Sequence, residues 1–272
     1  MTRRTRKARV LMAAAQPQIV VHVDRRSPDG HVGFLTVHNP AKLNALSSAV
    51  MDAFVAAVEQ LGQDDALRVL VVTGTGNRAF IGGADIDEMA RLDAASARAF
   101  ITRVHSCCET LRNLPVPVIA RIDGYTLGAG LELAAACDLR VATETAQFGM
   151  PEVRLGMPSV VEAALLPTLV GWGRAREMLL LGEIVTAHEA ARWGLIERVV
   201  PADALDQAVE RWIQAVLAAE PRAVCLQKQL IRKWEQLPLS DAIQAGIDSF
   251  VTAFESDEPI RAIAKFRASR KP

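Results

Sequence analysis

The chain has 272 residues, with 31 basic and 31 acidic side chains and therefore no formal net charge. Hydrophobic residues make up 50% and charged residues 23%, a composition that is typical of folded globular proteins and excludes a disordered chain. No apolar run reaches the roughly 18 residues of a membrane-spanning helix. The neutral balance argues against a protein that binds nucleic acid or membrane through its overall field.

The strongly basic part of the sequence is its beginning. Five of the first nine residues are Arg or Lys, and the first acid is Asp24. We expect residues 1–16 to form a disordered basic tail, with translation from Met12 or an amphipathic transit sequence as the alternatives. The remainder of the chain is net acidic.

The four cysteines, Cys107, Cys108, Cys137 and Cys225, have the spacing of neither a zinc site nor a disulfide scaffold. We therefore expect free thiols in a reducing cytoplasm. No pair of histidines has HExxH spacing, and the sequence contains neither a GxSxG elbow nor a GxxxxGK[ST] phosphate loop. These patterns predict no metal site.

Along the first half of the chain, strands and helices alternate. Short β-rich runs at 19–23 and 32–37 flank a turn at 28–30 and predict a hairpin. Ser47 or Ser48 can cap a helix that runs to about Gln60. Apolar runs at 69–72 and 118–122 predict strands buried on both faces, with a further strand at 138–142. Helices are expected at 95–113 and 131–136, so the pattern indicates an α/β fold with parallel strands.

From residue 161 onwards the strand signals nearly stop. Helical patterns fit residues 161–170, 173–182, 186–193, 203–218, 221–235 and 239–254. The sequence therefore predicts an α/β part of about 200 residues followed by a helical tail.

Two glycine turns are candidates for chemistry, FIGGAD at 80–85 and GYTLGAGLE at 124–132. Glycine lets another group approach the backbone, and the first turn of a helix leaves N–H groups unpaired. Two such donors aimed at one oxygen form an oxyanion hole. On glycine content alone, ordinary turns between strands and helices explain the same residues. A dinucleotide site is weaker still, because neither turn has the third glycine.

Two acids accompany these turns. Glu132 lies in the otherwise apolar helix LELAAA, and Glu152 lies in MPEV. A buried carboxyl must be paired or protonated, so two such acids could form an acid/base pair with separated pKa values. The alternative is that both are solvated or salt-bridged, with Arg154 as a partner.

Taken together, five ordered segments resemble the crotonase superfamily, the enoyl-CoA hydratase/isomerase fold. They are HNPAKLNAL at 38–46, AFIGGADI at 79–86, GYTLGAGLELAAACD at 124–138, AQFGMPE at 146–152, and LGE at 181–183 with 190–200. The resemblance runs from about residue 17 to the C-terminus. It implies an α/β, crotonase-like spiral of ββα units over 17–200 and a C-terminal helical oligomerisation region over 201–272.

The resemblance also implies the partners of the chain. The substrate is an acyl-CoA thioester, so coenzyme A belongs to the substrate and no other cofactor is expected. The chain is expected to form a homotrimer or a dimer of trimers. No nucleic-acid or membrane partner is expected.

By the same resemblance, the backbone N–H groups of Ala84 and Ala129 form the oxyanion hole. Glu132 activates water for addition to C3, and Glu152 exchanges a proton at C2. Two acids favour an enoyl-CoA hydratase. The alternatives are another reaction on an acyl-CoA (double-bond isomerisation, C–C cleavage, or hydration of a branched or aromatic acyl group) and a non-catalytic relative that binds nucleic acid through its basic N-terminus.

The residues expected to contact the substrate come from several segments. They are Ala41, Lys42, Leu43, Gly83, Asp85, Ile86, Gly128, Val160, Lys265 and Phe266. Two departures from the family pattern stand out. Asp87 replaces a common basic residue, and the segment 156–167 (GMPSVVEAALLP) replaces a glycine-rich stretch beside the acyl pocket. We expect Val160 and Val161 to narrow that pocket. Glu162 adds a third acid, unless it points away from the site.

Overall fold

A computed structural model of the chain describes residues 18–26, 28 and 30–269. The expected basic tail at 1–16 lies outside the described residues. Strands β1 (Gln18–Arg26) and β2 (Gly30–His38) pair antiparallel, with Ile19 opposite Val37, so the predicted hairpin is confirmed. Helix α1 (Ser48–Leu61) follows as predicted, and the Ser47 hydroxyl accepts from the Val50 N–H at its start.

The next part of the chain winds three times through two sheets. Each winding gives one strand to each sheet and then a helical segment. The first winding consists of β3 (Leu67–Gly74), β4 (Ala79–Ile81), α2 (Ile86–Met89) and α3 (Ala94–Asn113). The second consists of β5 (Val118–Ile122), β6 (Tyr125–Leu127) and α4 (Ala129–Ala136). The third consists of β7 (Leu139–Thr143), β8 (Gln147–Gly149) and two 3-10 turns, Pro151–Leu155 and Val161–Leu165.

The remainder is largely helical. It comprises α5 (Leu166–Leu181), β9 (Ile184–Thr186), α6 (Ala187–Trp193), β10 (Arg198–Val200), α7 (Leu205–Ala218), α8 (Pro221–Trp234), α9 (Leu239–Ala253) and α10 (Glu258–Ser269). The helix predicted at 161–170 is wrong in its first half, because Val161 has a positive φ of 42° and the chain forms a 3-10 turn there. The sequence patterns did not predict α10.

The two sheets have the strand orders β1-β2-β3-β5-β7-β10 and β4-β6-β8-β9. All neighbouring pairs are parallel except β1/β2 and β8/β9. Strand β3 is buried on both faces, as its apolar run predicted. Leu70 and Val72 belong to the main core, whereas Val69 and Val71 pack in a second core with Ile213 of α7.

The smaller sheet places two backbone turns side by side. Ile81 at the end of β4 pairs with Thr126 of β6, so the residues that follow both strands meet at one edge. Within the described part of the chain, no helix is long and apolar enough to cross a membrane.

Candidate active site

The turn after β4 presents one unpaired backbone donor. Leu46 donates its N–H to Gly83 O at 2.9 Å, and Asp85 donates its N–H to Leu46 O at 2.8 Å. Ala84 lies between Gly83 and Asp85 and forms a parallel bridge with Leu46. Its own N–H therefore points away from Leu46. Within residues 30–269, the Ala84 N–H has no backbone acceptor. Gly83 has a φ of 114°, which a side chain would strain.

The turn after β6 presents a second donor. Gly128 has a φ of 51°, and Ala129 begins α4, where the first N–H groups have no partner inside the helix. The positive end of the helix dipole is located there too. A Cβ on Gly130 would lie 2.0 Å from Ile81 O, so glycine is what allows α4 to lie directly against β4. These turns therefore do more than connect strands to helices.

Both turns line one cavity of about 560 Å³. Gly83, Ala84, Gly128 and Ala129 form one side of it. Much of the remaining lining is apolar and comes mainly from α2 and α3, which also contributes Arg98. Its apolar side chains are Ile86, Met89, Leu92, Ala97, Phe100, Ile101 and Val104. The cavity is large enough for a small ligand and mostly apolar, as binding pockets usually are.

Glu132 lines this cavity from the first turn of α4 and is only 4% exposed. Its Oε1 accepts from the Ala163 N–H at 3.3 Å. Burial, reinforced by the negative charges of Glu152 and Glu162, raises the pKa of Glu132 to about 8, and the hydrogen bond from Ala163 opposes this rise only in part. At neutral pH this raised pKa favours the protonated form of Glu132.

Glu152 lines the same cavity from the 3-10 turn Pro151–Leu155. Ser159 donates its hydroxyl to Glu152 Oε2 at 2.7 Å. The other oxygen lies against the backbone of Gly128, where a Cβ would approach it to 2.4 Å. Arg154 instead donates to Leu181 O at 3.1 Å, and among the described residues it forms no ion pair with Glu152. Glu152 is thus held by a hydroxyl donor, which leaves its carboxylate available in the cavity.

The predicted substrate contacts are only partly brought to the cavity. Gly83, Ile86, Gly128 and Val160 line it, whereas Ala41, Lys42, Leu43 and Asp85 do not. The Lys42 ammonium lies 2.8 Å from Asp85 Oδ2 and 2.7 Å from Asp87 Oδ2, so its charge is already paired. Lys265 and Phe266 lie on α10 and are not among the residues that line this cavity.

Sequence reasoning missed several residues of the site. Ser159 and the apolar face of α3 belong to it, and Val161, expected to narrow the cavity, does not line it. The helical spacing of Ala97, Phe100, Ile101 and Val104 was a signal that could have identified this wall. Nothing local marks Ser159 as the partner of Glu152. Among residues 18–26, 28 and 30–269, no cluster of His, Cys, Asp and Glu is placed to hold a metal ion.

Comparison with known proteins gives a consistent result. The family model for enoyl-CoA hydratase/isomerase matches residues 28–272. A short-chain-enoyl-CoA hydratase of Clostridium acetobutylicum is 32% identical over 244 residues, which cover 89% of this chain and 94% of that protein. A crotonyl-CoA hydratase of Syntrophomonas wolfei is 33% identical over 238 residues, covering 87% of this chain and 92% of that protein.

Solved structures agree with the sequence comparison. The crystal structure of an enoyl-CoA hydratase from Bacillus anthracis superposes with a TM-score of 0.87 and 30% identity, and covers 93% of this chain and 97% of that one. The winding of strands through two sheets is thus shared over nearly the whole described chain. The chain belongs to the enoyl-CoA hydratase/isomerase family, and the resemblance predicted from its motifs is confirmed.

Proposed function

We propose that this enzyme adds water across the 2,3 double bond of an enoyl-CoA thioester. The proposal rests on one observation: within the described chain, two backbone N–H groups without an acceptor and two glutamates line the same mostly apolar cavity. The relatives named short-chain-enoyl-CoA hydratase and crotonyl-CoA hydratase, at 32% and 33% identity, support it.

The N–H groups of Ala84 and Ala129 would bind the thioester oxygen. When water attacks C3, the electrons of the double bond move towards the thioester oxygen and an enolate forms. Two donors fixed by strand and helix stabilise this charge without having to reorganise. The loss of one such donor typically costs about 2.7–4 kcal/mol of barrier.

The two carboxyls supply the proton chemistry. In the proposed roles, Glu132 takes a proton from water as the oxygen attacks C3, and Glu152 gives a proton to C2. Addition thus needs one carboxylate and one carboxylic acid. Because burial raises the pKa of Glu132 to about 8, the protonated form of Glu132 would be the more populated one at neutral pH. Dehydration then starts from the populated form, and hydration starts from the form with the proton on Glu152.

The acyl chain would extend along α3. Val160 lines the cavity next to Ser159. Its side chain would narrow the cavity and favour a short or slender acyl group. Asp87 stands where a basic side chain is common, and the Lys42 ammonium is paired with Asp85 and Asp87. Affinity for the CoA portion would therefore come mainly from backbone donors and apolar contacts, with Arg98 as a basic side chain in the cavity lining. No further cofactor is needed for this reaction, since coenzyme A arrives as part of the substrate.

Replacement of each acid by its amide tests the function. Glu132→Gln and Glu152→Gln keep the size of the side chain and remove the acid/base group, and we expect each to lower kcat for crotonyl-CoA hydration about 10²–10⁴-fold. Glu144→Gln, which changes an exposed glutamate in the loop after β7, is the matched control and should stay fully active. Full activity in either acid variant would remove that residue from the mechanism.

We also propose that the enzyme forms a homotrimer, or a dimer of trimers, through its C-terminal helices. Exposed apolar side chains form a stripe at helical spacing on α9 and the residue that follows it: Ile243, Ile247, Phe250 and Phe254. Phe250 is 67% exposed, the highest exposure in this stripe. An exposed apolar stripe of this kind is typical of a protein–protein interface. Phe250→Glu should shift the sedimentation of the protein to the monomer, and an unchanged sedimentation coefficient would contradict the proposed surface.

A further inference from the structure

A third carboxyl is buried beside the acid pair but does not line the cavity. Glu162, in the turn Val161–Leu165, is 8% exposed. Its Oε1 lies 2.8 Å from Nδ1 of His105 on α3. Its Oε2 is buried without a hydrogen-bond partner among the described residues. A buried carboxyl is costly unless it has a partner, so the contact with His105 provides most of its compensation.

The turn that holds Glu162 has a strained backbone. Val161 has a φ of 42°, in the left-handed region that a β-branched residue rarely adopts. Such a conformation persists only where the surroundings enforce it. The contact between Glu162 and His105 links the residue next to Val161 to α3, 57 positions earlier in the chain. This contact is therefore placed to hold the turn in its strained form.

The following residue reaches the catalytic glutamate. Ala163 shares its N–H between Val160 O at 2.9 Å and Glu132 Oε1 at 3.3 Å. A relaxation of the turn would move this donor. Because Glu132 has no other hydrogen-bond donor within the described chain, the position of its carboxyl would change with the turn.

We propose that Glu162 is a positioning residue for hydration: its hydrogen bond with His105 holds the strained turn so that the Ala163 N–H fixes the Glu132 carboxyl in the cavity. This inference rests on the proposed function. The segment 156–167, which departs from the family pattern, would then position both Glu132 and Glu152, because Ser159 of the same segment donates a hydrogen bond to Glu152.

The charge of Glu162 adds a pH-dependent signature. The ionisable groups that interact with Glu132 are Cys108 of α3 and Glu152 and Glu162 of the two 3-10 turns. Glu162 in turn interacts with Cys107 and His105 of α3. Burial raises the pKa of both cysteines, which stay neutral. Burial is the main cause of the raised pKa of Glu132, and the charge of Glu162 adds to it. Removal of that charge should let Glu132 ionise at lower pH.

Two substitutions of Glu162 separate position from charge. Glu162→Ala releases the turn, and we expect kcat for crotonyl-CoA to fall about tenfold to a hundredfold with little change in KM, because Glu132 does not hold the CoA portion. Glu162→Gln keeps an acceptor for His105 and should retain most of kcat, while the alkaline limb of the pH–rate profile moves to lower pH. Glu109→Gln removes an exposed carboxylate 3.7 Å from the same histidine and is the matched control.

Substitutions of His105 give an independent check. His105→Asn retains a donor near the Nδ1 position and should rescue most of the kcat that His105→Leu loses. Circular dichroism and melting temperature establish that each variant is folded. If Glu162→Ala does not fold, the comparison of kcat between His105→Asn and His105→Leu tests the proposal in its place. The proposal would be overturned if the Glu162 and His105 variants left both kcat and the pH–rate profile unchanged. It would also be overturned if these variants lowered the melting temperature without lowering kcat.

A measurement without substrate keeps this test separate from the proposed function. The raised pKa of Glu132 makes the unfolding free energy fall between about pH 5 and pH 9. Glu162→Gln should make this fall smaller, whether or not the enzyme hydrates crotonyl-CoA. An identical fall in the wild type and in Glu162→Gln would overturn the electrostatic part. Failure of the wild type to hydrate any enoyl-CoA would overturn the proposed function instead.

Discussion

Replacement of Glu132 by glutamine should make the fold more stable at alkaline pH. The pKa of Glu132 rises from an ordinary 4.5 in the unfolded chain to about 8 in the folded one, mainly because the carboxyl is buried. The folded state therefore binds this proton more tightly. The contribution of the protonated carboxyl to the unfolding free energy is fully present below about pH 4.5, and it is lost as the pH rises through about 8.

The size of this effect follows from the shift in the pKa. A rise from 4.5 to about 8 corresponds to at most about 5 kcal/mol of unfolding free energy, lost between pH 5 and pH 9. Glutamine is neutral at every pH, and its side-chain oxygen still accepts from the Ala163 N–H. The variant should therefore lack this fall.

Urea denaturation at pH 5, 7 and 9 measures the difference. The unfolding free energy of the wild type should fall more steeply with pH than that of Glu132→Gln, by several kcal/mol over the range. The exposed control Glu144→Gln should follow the wild type. Parallel curves for the wild type and Glu132→Gln would refute the view that Glu132 is buried as a neutral acid.

Three further substitutions probe the surroundings of the acids. Gly128→Ala should lower kcat about a hundredfold in steady-state kinetics, because its Cβ would lie 2.4 Å from Glu152 Oε1; wild-type kcat would contradict the placement of that carboxylate. Ser159→Ala should cost about tenfold in kcat, since it removes the 2.7 Å donor to Glu152; an unaltered rate would show that Ser159 is dispensable. Asp87→Asn should lower KM for crotonyl-CoA, because it removes one of the two carboxylates that pair with Lys42 and makes the ammonium more available to the CoA phosphates; an unchanged or raised KM would count against that role for Lys42.

The pH dependence of catalysis follows from the same carboxyl. Addition of water needs one proton in the pair, and loss of the proton that Glu132 holds leaves no acid. Because the pKa of Glu132 is about 8, kcat/KM should fall as the pH rises above about 8. Stopped-flow or steady-state assays between pH 6 and pH 10 measure this limb. A rate that stays constant to pH 10 would separate catalysis from this ionisation.

Periodic and apolar patterns made much of the fold predictable. The run at 69–72 predicted a strand buried on both faces, and β3 has two cores on its two sides. The three-residue strands β4, β6 and β8 escaped prediction because three residues are too short to show a period of two. They are nevertheless the elements that place Ala84 and Ala129 side by side.

The candidate site was predictable where its signal is local. Glu132 is conspicuous because an acid interrupts an apolar helix, and the structure buries it in the cavity. Its neighbours are a different case. His105 and Glu162 are 57 residues apart, and only the packing of α3 against the turn at 161–165 brings them together. The left-handed φ of Val161 likewise has no signature in the sequence, because it is imposed by that packing.

The most direct test of hydration is the origin of the oxygen in the product. Crotonyl-CoA incubated with the enzyme in heavy-oxygen water should give 3-hydroxybutyryl-CoA that carries one solvent oxygen at C3, and Glu132→Gln and Glu152→Gln should lose this incorporation while the Glu144→Gln control keeps it. A product that is an isomer or a cleaved acyl-CoA, without solvent oxygen, would contradict the proposed reaction and favour another reaction of the same enolate.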